Sequence, residues 1–397
     1  MPTAVIVDAV RTAGGKRHGK LSGWHSVDLA SEVLKALVER NDLDPALVED
    51  VIMGCVSQIG AQGINIARNA VLAAGFPESV PGTSVDRQCG SSQQAIHFAA
   101  QGVMAGQYDV VIASGVEVMS LVPMGSSVGQ GVGLPFGERV GARYAERGGL
   151  VPQGISAEMI ADRWGFSRED LDEFSASSHQ KAARATAEGR FEREILPVKL
   201  KHKDKETGKV TVSDEMVTAD EGIRPDSSVE SLGKLKPSFK PDGKITAGNS
   251  SQITDGASGV LIMSEEKAAS LGLTPRARFH AFALAAEDPQ IMLTAPIPAT
   301  ARILEKAKLS IDDIDLVEIN EAFAPVVLAW AKEHHPDMDK VNVNGGAIAL
   351  GHPLGASGAK LMATLLNELE RTGGRYGLQT MCEGGGMANA TIIERLG

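Results

Sequence analysis

GTSVDRQCGSSQQAIHFAAQGVMAGQYDVVIAS, residues 82–114, reads as strand, turn, helix and strand in that order. Residues 82–86 predict a short strand and 109–114 a buried apolar one, with a helix over 90–106 between them. A strand–helix–strand unit of this kind calls for a sheet covered on both faces, mostly parallel. The same rhythm extends upstream, with strands at 4–9 and 50–56 and helices at 27–40 and 64–75. Ser26 is placed to cap the first helix, with Asp28 in its first turn.

The middle breaks the pattern. Residues 120–155 are rich in Gly and Pro without a period, 156–188 form one long helical stretch, and 197–245 are charged and loop-rich. Residues 120–250 therefore read as an irregular domain inserted over a core. The α/β rhythm then returns. Strands are expected at 258–263, 276–286, 314–319, 341–342, 376–382 and 388–393, and helices at 265–271, 297–307, 323–334 and 355–372. Each half has a Gly-flanked reactive residue before a long helix of small and apolar residues: Cys89 before 90–106 and His352 before 355–372. A duplicated core is the economical reading. It divides the chain into 1–119, an insert 120–250, and 251–397, with 251–270 completing the first half.

Composition narrows the function. The chain has 397 residues, 43% hydrophobic and 22% charged, within the range of globular enzymes, and long enough for two or three domains. A net charge of -11 excludes a basic nucleic-acid footprint. Lys199, Lys201, Lys203, Lys205 and Lys209 crowd one stretch, either a solvated loop or a cationic rim for a nucleotide phosphate. Three cysteines, Cys55, Cys89 and Cys382, form no disulfide framework and no metal spacing with the histidines. The first residues lack the layout of a signal or transit peptide, the last four are not a peroxisomal address, and no apolar run is long enough for a membrane span. A cytoplasmic protein without metal is expected.

Four segments carry chemistry. Cys89 stands at a helix N-terminus, whose dipole favours thiolate over thiol, and Gly90 removes bulk beside the sulfur; the alternative is a small buried hydrophobe. His352 lies in VNVNGGAIALGHPLGASGAK (341–360), where glycines let backbone close around a general base; the block is neither a P-loop nor a dinucleotide fingerprint. Cys382 ends a strand and meets Gly384-Gly385-Gly386, whose N–H groups can hold an oxyanion or simply turn the chain. Asn320 and Glu321, before Phe323, close another strand, where ligands gather in α/β sheets.

Together these blocks resemble one family across nearly the whole chain. Cys89-Gly90-Ser91, Asn320 to Ala324 (NEAFA), Asn344 to Gly358 and Cys382 with Gly384 to Gly386 look like the four catalytic blocks of thiolases. Residues 246–256 are similar to that family's coenzyme A pocket, and 154–194 to its loop-domain helices. The resemblance implies a thiolase-like fold, a duplicated α-β-α-β-α layered core with an inserted loop domain. It implies acyl transfer between acyl-CoA and acetyl-CoA through a Cys89 acyl-enzyme. His352 and Cys382 would move protons, and Asn320 and Gly384 would serve two oxyanion sites. Coenzyme A would be a substrate, with no permanently bound cofactor. Ser251 and Ala247 would meet its pantetheine arm and Arg224 its nucleotide, while Gln153, Met292 and Phe323 would border the acyl pocket. A homodimer or homotetramer is implied; apolar, Gly-rich segments such as 82–114 are of the kind that can pair across a two-fold axis.

The chain departs from the family pattern at Ser92, Gln153, Leu293, Glu383 and Ala388. These changes point toward thiolases that degrade bulky acyl chains, including steroid side chains; Met292 and Phe323 argue for a smaller pocket. Three other readings compete. A condensing ketoacyl synthase would lack Cys382, a non-catalytic acyl-CoA-binding scaffold would not need all four blocks, and a cysteine hydrolase would not need coenzyme A.

Overall fold

The computed structural model describes residues 2–128, 131, 133–204 and 206–397. The first part of the chain supplies β1 (Ala4–Thr12), β2 (Gly15–Lys16), α1 (Ser26–Glu39), β3 (Asp50–Gly54), α2 (Ile66–Ala73), β4 (Thr83–Val85), α3 (Ser91–Met104) and β5 (Val110–Val118). His25, not Ser26, caps α1: its ring accepts from the Val27 N–H, and Ser26 is turned inward to bond Gln62. The middle holds α4 (Glu138–Ala145), α5 (Gln153–Arg163), α6 (Arg168–Ala187), β6 (Ile195–Leu196), β7 (Val198–Lys203), β8 (Val210–Val217) and α7 (Val229–Gly233). The single helix expected over 156–188 is two. Gly165 takes φ 72°, and Ser167 with Asp170 forms a capping box that starts α6 afresh.

The rest supplies β9 (Thr254–Ser264), α8 (Glu265–Ser270), β10 (Ala277–Ala286), α9 (Pro296–Ala307), β11 (Leu316–Ile319), α10 (Ala324–His334), α11 (Ala347–Leu350), α12 (Ser357–Thr372), β12 (Tyr376–Glu383) and β13 (Met387–Arg395). Only one bridge, Val317 to Val341, stands where a strand was expected at 341–342.

The main sheet runs β11-β12-β13-β10-β1-β9-β5-β3-β4. Either side of the β1–β10 join, the order is the same plan: β1-β9-β5-β3-β4 is matched by β10-β13-β12-β11 and the Val341 bridge. The sheet is mixed rather than mostly parallel. Helical crossovers keep β3, β4 and β5 parallel, and likewise β11 and β12. β13 returns through a glycine hairpin and β9 through the long insert, so both run antiparallel to their neighbours.

Alternation along β1 builds the layers. Val5, Val7 and Val10 face a core made with α1 and α2. Ala4, Ile6 and Ala9 face a second core, made with α3 and α12. A third core packs α9 and α10 on the far side of β10, β12 and β13. Helices α3 and α12 thus form the middle of five layers, and every residue of α12 from Ser357 to Leu369 is buried. Fully burying each of Leu365, Leu366 and Leu369 stabilises the fold by roughly 1.5–3 kcal/mol. Arg11 on β1, fully buried, fastens the insert through Glu194 at 2.6 Å and Asp220 at 2.8 Å.

Candidate active site

In the middle layer α3 and α12 touch directly. Gly358 makes this possible, because a Cβ there would sit 2.1 Å from the Gln93 backbone nitrogen. Ser92 completes the contact by accepting the Ala359 N–H at 3.0 Å. The turns that precede the two helices are therefore brought together. One presents Cys89 and the other His352, and both line a cleft of about 520 Å³.

The Cys89 turn is closed by its own side chains. The Gln88 N–H donates to Asp86 at 2.7 Å, and the Arg87 N–H donates to the Ser91 hydroxyl at 3.0 Å, which in turn donates to the Gln88 carbonyl. Gln88 takes φ 50°, a conformation that costs an ordinary residue about 1 kcal/mol or more. Cys89 is 5% exposed. Burial, and then the nearby Glu383 carboxyl, push its thiol up to about 12; a hydrogen bond from the Gln153 side chain opposes them. The helix N-terminus does not outweigh this, so the resting group is a thiol and the thiolate expected from the dipole is not its ground state.

His352 is delivered by Gly351, whose φ of 80° brings the chain past Thr254. Its N–H donates to the Thr254 hydroxyl at 3.0 Å. The ring Nδ1 meets the Ser357 hydroxyl. That hydroxyl donates its own hydrogen to the Pro353 carbonyl at 2.9 Å, so it accepts from Nδ1–H. The network thus assigns the proton to Nδ1 and a lone pair to Nε2, which accepts from the Asn320 amide nitrogen at 3.4 Å. Burial, then the Lys360 cation, push the imidazole down to about 3. Cys89 and His352 rest as a neutral thiol and a neutral base.

Behind them sits Cys382, fully buried among Ala322, Phe323, Ile348 and Met292. Burial, and then Cys89, raise its thiol. Gly384 lies against Gln88, where an added Cβ would stand 3.0 Å from the amide oxygen. Asn320 is held by its N–H on the Thr380 carbonyl at 3.1 Å. Glu321 binds the glycine block in place, accepting from Ser178 at 2.7 Å, Asn342 at 3.0 Å and the Ile348 N–H at 3.2 Å. Glu383 is unusual. Its carboxyl is fully buried against Gly90 with neither oxygen hydrogen-bonded among the described residues, and burial pushes it up to about 8.

Of the residues singled out from sequence, Cys89, His352, Gln153, Arg224, Ala247, Ser251 and Phe323 line the cleft. Asn320, Cys382, Gly384 and Met292 do not; Met292 packs with Cys382 and Phe323 as backing rather than as wall. The lysine stretch is not at the cleft either. It belongs to the β7–β8 ribbon, where Lys199 faces Asp214 and Lys201 covers the Trp24 ring, while Lys205 lies outside the described residues. The lining cations are Lys16, Arg17 and Arg224, and the first two went unnoticed although they form a basic pair among glycines (GGKRHGK). Met119, Met124 and Phe239 also line it unforeseen, Phe239 set edge-on to Phe323 at 6.0 Å. Among the described residues no group of His, Cys, Asp and Glu is arranged to hold a metal, and no helix is long and apolar enough to cross a membrane.

A duplicated α/β core with a buried thiol, imidazole and second thiol at its centre defines an enzyme of the acyl-transferring kind. The chain belongs to the thiolase family: residues 4–266 match the model described as Thiolase, N-terminal domain, and 273–395 that described as Thiolase, C-terminal domain. It is 53% identical to the steroid 3-ketoacyl-CoA thiolase FadA6 of Mycobacterium tuberculosis, over 100% of this chain and 95% of that protein. It is 47% identical to a 3-ketoacyl-CoA thiolase of Aliivibrio salmonicida, over 100% of both. Among solved structures it resembles the Bacillus anthracis acetyl-CoA acetyltransferase, with a TM-score of 0.89 and 40% identity, covering 100% of this chain and 99% of that one.

Proposed function

We propose that the protein is a degradative thiolase, cleaving 3-ketoacyl-CoA with coenzyme A through an acyl-enzyme on Cys89. The observation that carries this reading is that a neutral Cys89 and a neutral His352 line the same cleft, with Cys382 in the buried cluster that holds Ala322 and Phe323, two other lining residues. As the Cys89 sulfur attacks the 3-keto carbon, His352 Nε2 takes its proton. The C2–C3 bond then breaks, and the departing acetyl-CoA enolate takes a proton from Cys382. Incoming coenzyme A gives its thiol proton to the Cys382 thiolate and attacks the acyl-enzyme, and His352 returns the first proton to Cys89. Every proton is accounted for, and no other reactant is needed. Asn320 beside His352 would hold one oxyanion, and the N–H groups of Cys89 and Gly384 the other.

Coenzyme A fits the cationic mouth, with its phosphates toward Lys16, Arg17 and Arg224 and its pantetheine past Ala247 and Ser251. The acyl chain would lie among Gln153, Met119, Met124 and Phe239, a lining of flexible thioethers and one exposed ring that suits a bulky chain. The name of the Mycobacterium relative supports the same direction. We place the protein in the cytoplasm as a homodimer or homotetramer. Residues 1–119 with 251–270 would form one half, 271–397 the other, and 120–250 the insert.

Coenzyme A-dependent cleavage of acetoacetyl-CoA, a long-chain and a steroid-side-chain 3-ketoacyl-CoA tests the reading. Preference for a bulky chain is the expected result. Preference for acetoacetyl-CoA would mean that Phe239 and Phe323 close the pocket, and no cleavage would return the scaffold reading.

A further inference from the structure

Lys360 lies on α12 and is 5% exposed. Its ammonium donates to the Leu350 carbonyl at 2.6 Å and the Gly351 carbonyl at 3.0 Å. These are the last two carbonyls before His352, and Gly351 is the left-handed residue that swings the imidazole inward. A cation on two carbonyls makes stronger hydrogen bonds than a neutral donor would. The ammonium thus clamps the backbone that delivers the ring.

The same side chain borders a cavity of about 10 Å³, room for a single water, together with Ser357, Asn320, Gly351 and Glu318. Ser357 and Asn320 are the partners of the two ring nitrogens. The partners of both ring nitrogens therefore border the same small space as Lys360. The charged groups facing Lys360 are Asp220, Arg11, Glu194 and Glu318. Glu318 is held well above the usual carboxylate range, first by burial and then by Glu321, with Glu194, Glu368 and Lys181 also facing it. Arg11 and Lys360 thus face Glu194, Asp220 and Glu318 in one buried cluster. Buried ions of this kind add little to stability compared with apolar residues of the same volume. The catalytic steps above use none of them.

We propose that Lys360 is a positioning residue for His352, setting where Nε2 lies relative to Cys89 by clamping the Leu350 and Gly351 carbonyls. The inference rests on the reading of His352 as the base. The test uses the full-length enzyme with Lys360→Gln, Lys360→Arg and His352→Asn, assayed on the best 3-ketoacyl-CoA of the panel, with melting temperatures recorded. Displacing a base by a fraction of an ångström costs roughly 10- to 100-fold, so Lys360→Gln should lose about that much in kcat while KM for both substrates stays within about twofold. Lys360→Arg, which keeps the charge and the donors, should recover most of the loss. Should the Gln variant not fold, Lys360→Met, matched in volume, takes its place with the same expectation. Activity of the charge-free variant near wild type, or losses that are equal in the Arg variant and follow a lowered melting temperature, would overturn the proposal. His352→Asn separates the two failures. If it is fully active, the base role itself falls; if it is inactive beside an unaffected Lys360→Gln, only the role of Lys360 falls.

Discussion

The turn into α3 and the turn into α12 occupy matching places in the two halves, and each is closed partly by the first residue of its own helix, Ser91 and Ser357, but the other partners differ. The first adds Asp86 and left-handed Gln88, with Asn389 donating to the Gly90 carbonyl at 3.0 Å. The second adds a cation from its own helix, Lys360, and takes Thr254 and Asn320 from elsewhere in the chain. Yet both are desolvated, and burial moves both groups toward neutrality, the thiol up to about 12 and the imidazole down to about 3. A thiolate–imidazolium pair is thus not stored in the resting enzyme. In the proposed mechanism it would form as negative charge develops on the substrate, where stabilisation raises kcat rather than tightening ground-state binding.

The comparison breaks most sharply at the sulfurs. Cys89→Ser should lower acyl transfer by about a thousandfold or more, because a serine has no thiolate to offer here. Cys382→Ser should still accumulate acyl-enzyme from an acyl-CoA, visible by intact-mass spectrometry, while carbon–carbon cleavage stops. Equal mild losses in both would dissolve the assignment of roles. On the α12 side, Ser357→Ala frees Nδ1 and should lower kcat by roughly 10- to 100-fold with KM little changed. A matching loss in KM would mean that the turn, not the tautomer, had failed.

Glu383 sharpens the contrast through stability. The folded chain keeps its carboxyl protonated up to about 8, against 4.5 for an ordinary glutamic acid. An unfolded chain gives up that proton earlier, so stability is full below pH 4.5 and falls as pH rises toward 8. Glu383→Gln should remove this slope and gain on the order of 3 kcal/mol at pH 8 relative to pH 5, read by urea denaturation. An unchanged slope would show that the carboxyl finds a partner in solution. The smallest effect is expected at the mouth of the cleft. Arg224→Ala should raise KM for coenzyme A about fivefold, near 1 kcal/mol, and leave kcat alone; steady-state titration of coenzyme A decides it.

Much of this was legible in the sequence, because periodicity reports burial. The alternation of strands and helices, the paired Cys89 and His352 turns and the Glu321-Phe323 strand end all carry local signals. What was missed is non-local or exposed. Val210 and Val212 sit on the outside of the β7–β8 ribbon, so no buried stripe announced those strands. Lys16, Met119 and Phe239 meet in the cleft from three separate segments, and nothing along the chain relates them. The mixed sheet followed from how β9 and β13 return, which composition does not encode. At Cys89 the helix N-terminus still favours the thiolate, but burial opposes it, and the degree of desolvation is a property of the assembled layers.

Helix α12 also has a consequence for how the protein is made. It is the filling of a sandwich whose first slice, β1 to β5, leaves the ribosome long before it. At about 5–20 residues per second, the roughly hundred residues between β9 and the end of α12 take on the order of ten seconds to appear. For that interval Ala4, Ile6, Ile96 and Val103 have no partner from the later half, and their face is as sticky as any unfinished core. A duplicated plan therefore does not mean two modules that fold in turn. The earlier half waits for the later one, and a nascent chain stalled before Ser357 should be a substrate for chaperones rather than a half-built enzyme.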